Sequence, residues 1–199
     1  MKKNAVVWIN ADIYYHLSIQ RRKIKVKKFL LFICLPLAGL LICACASKPL
    51  PPPAWNFEKA AITINLKADN RLNLSEDIPH TLLLCIYQLK DRNTFNRIAD
   101  NQEGVYSLLE CKLFDNSVTS VKRLIVNPGQ NLDFTLDRAE GTRYVAIVAG
   151  YYLLEKDRMI RFYEVPVEVQ KTGLIMKKKF QVPALMDIHL NLGPKQIVN

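Results

Sequence analysis

Between residues 60 and 192 the apolar positions recur mostly with a period of two. Ala60, Ile62, Ile64 and Leu66 alternate with Ala61, Thr63, Asn65 and Lys67, which predicts a strand with one buried face. Residues 80–89 are apolar on both faces, Leu82, Leu84 and Ile86 against Leu83, Cys85 and Tyr87, as in a central strand covered on two sides. Further strands are predicted over 118–126, 131–136 (Leu132, Phe134 and Leu136 inward), 143–152, 161–169, 174–182 and 186–192. Turn residues punctuate them at Asn127-Pro-Gly129, Glu140-Gly141, Thr172-Gly173 and Gly193-Pro194. Short strands spaced in this way predict an all-β fold, a sandwich of about eight strands. Residues 92–109 break the alternation and place Phe95, Ile98, Tyr106, Leu108 and Leu109 at helical spacing, which predicts a helical insert packed on the sandwich.

Upstream the alternation gives way to a block. Six cations, Arg21, Arg22, Lys23, Lys25, Lys27 and Lys28, precede an uncharged apolar run over 29–42, and a cysteine follows closely. That succession predicts a secretory signal of the lipoprotein type. Cys45 is the expected acylated residue, because Ile42, Cys43 and Ala44 supply a branched aliphatic residue three positions back and a small one just before it. Residues 1–45 then form a signal region, 46–54 a stiff proline-rich tether containing Lys48-Pro-Leu-Pro-Pro-Pro53, and 55–199 one sandwich domain. An uncleaved anchor over 29–46 is the alternative. Both readings place the domain outside the cytoplasm, since the basic flank stays inside. Residues 1–20 hold no sustained apolar run; a start misassigned before about residue 26 accounts for them, and a cytoplasmic extension is the other reading.

The formal charge of +10 suggests an anionic partner until it is divided. Eight cations and one anion lie before Cys45, leaving twenty cations against seventeen anions, a net +3. That is the balance of an ordinary domain and gives no footprint for nucleic acid. Lys177, Lys178 and Lys179 are the only basic run after the signal and read as a solvated strand end. Catalysis finds little to work with, because His80 and His189 are the only histidines after residue 45 and no nucleophile elbow, metal-ligand pair or phosphate loop is present. No enzyme activity, cofactor or metal is expected. Cys85 and Cys111 read as two buried free thiols, with a disulfide as the alternative in an oxidising compartment. The stretch 69–79, Asp-Asn-Arg-Leu-Asn-Leu-Ser-Glu-Asp-Ile-Pro, sets Leu72, Leu74 and Ile78 among Arg71, Glu76 and Asp77. It reads either as an exposed recognition loop with small apolar anchors or as a loop folded back onto the core.

In order along the chain, a lipobox, Arg71-Leu-Asn73, Leu84-Cys-Ile-Tyr-Gln-Leu-Lys90, Phe95, Tyr106-Ser-Leu-Leu109, Asn127-Pro-Gly129 and Tyr144-Val-Ala-Ile-Val-Ala-Gly-Tyr-Tyr152 resemble the outer-membrane lipoprotein family of the type VI secretion system, called TssJ. The resemblance spans residues 45 to about 169 and departs at Tyr151-Tyr152, where the family often has Tyr-Arg. It implies a transthyretin-like β-sandwich without enzymatic activity, tethered to the outer membrane and facing the periplasm. Ser47, in place of an aspartate retention signal, fits that membrane. It also implies binding to the periplasmic C-terminal part of a TssM-like inner-membrane protein, and through it a TssL-like protein. The contact would be the loop between the first two strands, here Arg71, Leu72, Leu74, Glu76, Asp77 and Ile78. A chaperone or pilotin-like lipoprotein of another envelope machine is the alternative.

Overall fold

The computed structural model describes residues 49–173 and 178–198, so the predicted signal region and Cys45 lie outside the described residues. In chain order the elements are β1 (Glu58–Ala68), β2 (Leu82–Leu89), α1 (Asn93–Ile98), α2 (Gln102–Leu108), β3 (Val118–Val126), β4 (Asn131–Arg138), β5 (Tyr144–Ala149), α3 (Lys156–Met159), β6 (Ile160–Glu164), β7 (Val167–Thr172), β8 (Lys178–Pro183) and β9 (Met186–Leu192). One sheet has the order β4-β1-β9, the second β3-β2-β5-β6, and β7 and β8 form a separate ribbon. All pairings are antiparallel except β1 with β9, which run parallel from Ile62↔Met186 to Ala68↔Leu192.

The two sheets bury the faces that the alternation marks. Ile62, Ile64 and Leu66 of β1 and Ile188, Leu190 and Leu192 of β9 are core residues, and His189 and Asn191 between the latter stay exposed. At roughly 1.5–3 kcal/mol for each fully buried aliphatic side chain, these alternating positions drive the layering. β2 is buried along nearly its whole length, as its two apolar faces predict. One face looks across to the other sheet, where Gln88 donates through Nε2 to the Asp137 carbonyl and accepts from Ala139 N–H. The other face carries Cys85 and Tyr87 and is covered by the helical insert.

That insert consists of α1 and α2, held against β2 by three means. Phe95 is fully buried and meets the rings of Tyr87 and Phe162 edge-on at 5.7 and 4.9 Å. The Tyr87 hydroxyl donates to the Leu108 carbonyl at 2.6 Å, and burial pushes that hydroxyl's pKa up to about 12. A disulfide joins Cys85 to Cys111, with 5.2 Å between their Cα atoms. The reading of two free thiols is thereby corrected, since β2 and the end of α2 bring the residues within bridging distance. Between α1 and α2, a Cβ on Gly104 would stand 1.8 Å from the Ile98 carbonyl oxygen, so only glycine permits the packing.

Two predicted strands end differently. The segment predicted over 161–169 is split into β6 and β7 at Val165-Pro166, because proline has no N–H to continue a ladder, and the split makes nine strands among the described residues rather than about eight. The strand predicted over 143–152 stops at Ala149, where Gly150 N–H makes a last bond to the Leu83 carbonyl. The first half of the strand predicted over 174–182 lies outside the described residues.

Candidate partner-binding loop

The loop from Asp69 to Pro79 leaves the end of β1 and returns into β2 as a stiff base with a small tip. Asp69 organises the base. Its carboxylate accepts from Arg71 N–H at 2.6 Å, and its carbonyl accepts from Leu72 N–H and Gly129 N–H, both at 3.0 Å. Gly129 can lie so close because it sits at φ +72, the third position of the Asn127-Pro-Gly turn between β3 and β4, beside Asn70. Leu74 N–H donates to the Pro194 carbonyl at 2.7 Å, tying the loop to the C-terminal segment. Asn73 completes the base: its amide donates to the Thr81 carbonyl at 2.9 Å, and its oxygen accepts from Tyr152 N–H at 3.1 Å.

At the tip, Ser75 and Ile78 exchange both backbone hydrogen bonds, at 3.0 and 2.8 Å. The two residues between them, Glu76 at φ 51 and Asp77 at φ 61, both occupy the left-handed region, as in a type I′ turn. Neither is glycine, and each left-handed residue costs on the order of 1–2 kcal/mol. The tip is therefore held in place by the base rather than chosen by its own residues. Arg71 approaches Asp77 at 4.0 Å, an exposed pair worth at most about 1 kcal/mol.

These positions separate the expected anchors. Ile78 is 59 % exposed at the tip, as an anchor requires, and Arg71, Glu76 and Asp77 surround it in solvent. Leu72 is fully buried in the core, so its expected place among the anchors is corrected in favour of the folded-back reading, and Leu74 is half-buried. The physical reason is the Asp69-centred turn, which folds Leu72 inward under the loop, where His80 N–H donates to its carbonyl.

Sequence reasoning missed the surface beside the loop. Tyr152, 62 % exposed, stands edge-on against His80 with 5.0 Å between ring centroids, and Tyr106 of α2 is 58 % exposed. With Asn73, Leu109, Tyr151 and Leu154 they line an open groove of about 250 Å³. His80 Nδ1 and the Tyr151 hydroxyl are buried without a hydrogen-bond partner among the described residues, and burial raises the pKa of that hydroxyl, with Arg161 opposing. The sequence signal was the apolar run Tyr151-Tyr152-Leu153-Leu154, which ends five residues beyond its strand. The Tyr-Tyr departure is thus a feature of this groove.

The arrangement offers apolar anchors and backbone rigidity. His80 packs on Tyr152 while His189 faces Asp187 on β9, and no group of three metal-ligating side chains occurs among the described residues.

Residues 60–191 match the model of a family described as type VI secretion lipoprotein, VasD, EvfM, TssJ. Among solved structures the chain is similar to the type VI secretion lipoprotein TssJ1 from Pseudomonas aeruginosa, with 21 % identity and a TM-score of 0.51 over 74 % of this chain and 95 % of that one. It is also similar to Lip of Serratia marcescens, described as a membrane-bound component of the type VI secretion system, with 16 % identity and a TM-score of 0.51 over 69 % and 96 %. At these identities the likeness shows a shared β-sandwich fold. No curated protein sequence matches the chain.

Proposed function

The chain belongs to the type VI secretion lipoprotein family, and from that membership we propose that it anchors the secretion apparatus to the outer membrane through Cys45 and grips a TssM-like inner-membrane protein with the loop after β1. As a family member it is a membrane-associated lipoprotein that faces the periplasm and serves the membrane complex. Its role is mechanical rather than catalytic: acyl chains hold one end of the domain and the loop holds the partner's periplasmic C-terminal part. A TssL-like protein joins through that partner.

The observation that carries the proposal is Ile78, an exposed apolar side chain on a tip that the base holds in a conformation its own residues disfavour. Strain of this kind concentrates where a side chain must be presented in one place. Tyr152 and Tyr106 extend the apolar surface beside it, and aromatic side chains are the usual anchors of interfaces. Arg71, Glu76 and Asp77 form the polar rim. Leu72 has no place in the contact, and Leu74 supports it from beneath.

Calorimetric titration of the periplasmic C-terminal part of the TssM-like partner tests this. Ile78→Ala with Tyr152→Ala removes two exposed anchors, each worth about 2 kcal/mol if it is an interface hot spot, so affinity should fall at least tenfold with the melting temperature unchanged. Unchanged affinity in a normally stable variant would move the interface away from this end of the sandwich.

A further inference from the structure

We infer that the β7–β8 ribbon is a second membrane contact, resting its lysine-bearing end on anionic phospholipid headgroups beside the acyl anchor; the inference depends on the anchored reading above. The ribbon departs from the end of the sandwich where the tether arrives. Trp55 is fixed there by its carbonyl, which accepts from Gly141 N–H at 2.7 Å, and by the Arg143 guanidinium 5.7 Å from its ring. Arg138, nearly fully buried, then ties the two features together. It pairs with Glu58 at 2.7 Å and donates to the Asn56 carbonyl on the tether side and to the Ala184 carbonyl at the ribbon's base.

The ribbon pairs with no other strand among the described residues, although the β8 side from Phe180 to Pro183 is half-buried. All six residues of β7 are exposed, and β7 pairs only with β8. A lone two-stranded ribbon is marginal in water, and this one carries a further penalty. Lys171 lies directly opposite Lys179, a like-charged cross-strand pair, and the next pair toward the tip puts Lys178 opposite Thr172. Among the described residues none of these lysines has a carboxylate within ion-pair distance. The ribbon's one acid, Glu168, alternates onto the opposite face from the Lys171–Lys179 pair. The connecting sequence Gly173-Leu-Ile-Met-Lys177 adds no acid. Opposed cations on an exposed ribbon become favourable when an anionic surface supplies the countercharge.

The length of chain upstream selects a bilayer as that surface. Asn56 lies eleven residue steps beyond Cys45, a reach of roughly 35 Å when extended. The six-pair ribbon is about 20 Å long, so the tether is long enough to let its end meet the membrane. Exposed Phe57, Val167 and Leu185 lie at the ribbon's base, and Val169 lies between them and the lysines. Each lysine near an anionic bilayer strengthens contact about fivefold.

The test uses the acylated full chain reconstituted in vesicles, with a thiol-reactive fluorophore on Thr172→Cys or, as control, on Ile78→Cys, and a quencher attached to the lipid headgroups. In vesicles containing phosphatidylglycerol the label at 172 should be quenched several-fold more than the label at 78, and more than in neutral vesicles. Lys171→Gln with Lys179→Gln should weaken the contact roughly twenty-five-fold, whereas Lys→Arg at both positions should restore it. The Gln variant should melt no lower, because a like-charge repulsion is removed. Vesicle flotation with equal quenching at both positions would overturn the ribbon contact and leave the anchor standing. Failure to float would overturn the anchor and the inference together. Protection at 172 that requires the TssM-like protein would make the ribbon a protein interface instead.

Discussion

The loop after β1 and the ribbon between β6 and β9 are both excursions from the sandwich, yet the first is bonded into three neighbouring segments and the second chiefly to itself. Asp69, Leu74 and Asn73 tie the loop to the β3–β4 turn, to Pro194 and to Tyr152, and the disulfide-clipped insert stands beside it. The ribbon has its own ladder and two joints at its base, Pro166–Ala184 and Val165–Arg143. Ordering a residue's backbone costs about 1–2 kcal/mol. The loop meets that cost during folding and presents Ile78 ready for a partner, which favours tight binding. The ribbon has fewer ties to the sandwich, which suits a surface contact of low specificity. On the proposed function, which joins a membrane to a machine, one end of each kind is an advantage.

Removing the anchor separates the two ends most completely. Cys45→Ser should abolish acylation and membrane retention, read by palmitate labelling and vesicle flotation, and should leave the loop's affinity for its partner in solution unchanged. Normal labelling of that variant would place the lipid elsewhere.

Cutting the disulfide should damage the loop end alone. The Cys85–Cys111 bridge spans a sequence separation of 26, which corresponds to about 3 kcal/mol in the loop-entropy view. Cys85→Ser with Cys111→Ser should therefore lower the melting temperature by about 10 °C, and reductant should do the same to the native chain. Partner affinity should fall too, since the insert carries Tyr106 and Leu109 into the groove. Contact of the ribbon with vesicles should persist.

A third comparison lies within the loop. Leu72→Ala should cost about 2–5 kcal/mol in chemical denaturation with little direct effect on binding, because the side chain is fully buried. Ile78→Ala should change stability by no more than about 0.5 kcal/mol and weaken binding. The reverse pattern would mean that the loop turns inside out on meeting its partner.

The sequence showed much of the scaffold and less of the site, for reasons visible in single residues. Alternation found β1, β4 and β9, because one face of each is wet and the other dry. The double-faced run of β2 announced a cover on both sides, and the helical insert supplied it. Pairing between distant residues is not written in local periodicity, so Cys85 and Cys111 met only in three dimensions. Leu72 and Ile78 are both leucine-like residues among charges, and periodicity does not separate them. One turn of backbone, set by the Asp69 carboxylate, sends the first into the core and leaves the second at the tip. The ribbon's strands were legible within the segments predicted over 161–169 and 174–182; its isolation appears once Pro166 is seen to release it from β6.

The smallest expected effect concerns the tip's backbone. Glu76 and Asp77 occupy left-handed conformations that Asn-Gly adopts with little cost, so Glu76→Asn with Asp77→Gly should stabilise the domain by about 1 kcal/mol. For a domain of this size that is a rise of about 3 °C in melting temperature. The substitution keeps Ile78 paired with Ser75 and removes the two acidic side chains from the rim. If the loop works by holding Ile78 in a fixed place, affinity for the partner should stay within about threefold of the native value, a change of roughly 0.6 kcal/mol. A larger loss accompanied by the expected gain in stability would show that Glu76 and Asp77 touch the partner themselves. In that case the strain is the consequence of keeping two carboxylates on a turn that glycine would fit better, and single Glu76→Gln and Asp77→Asn variants, measured by the same titration, would divide the loss between them.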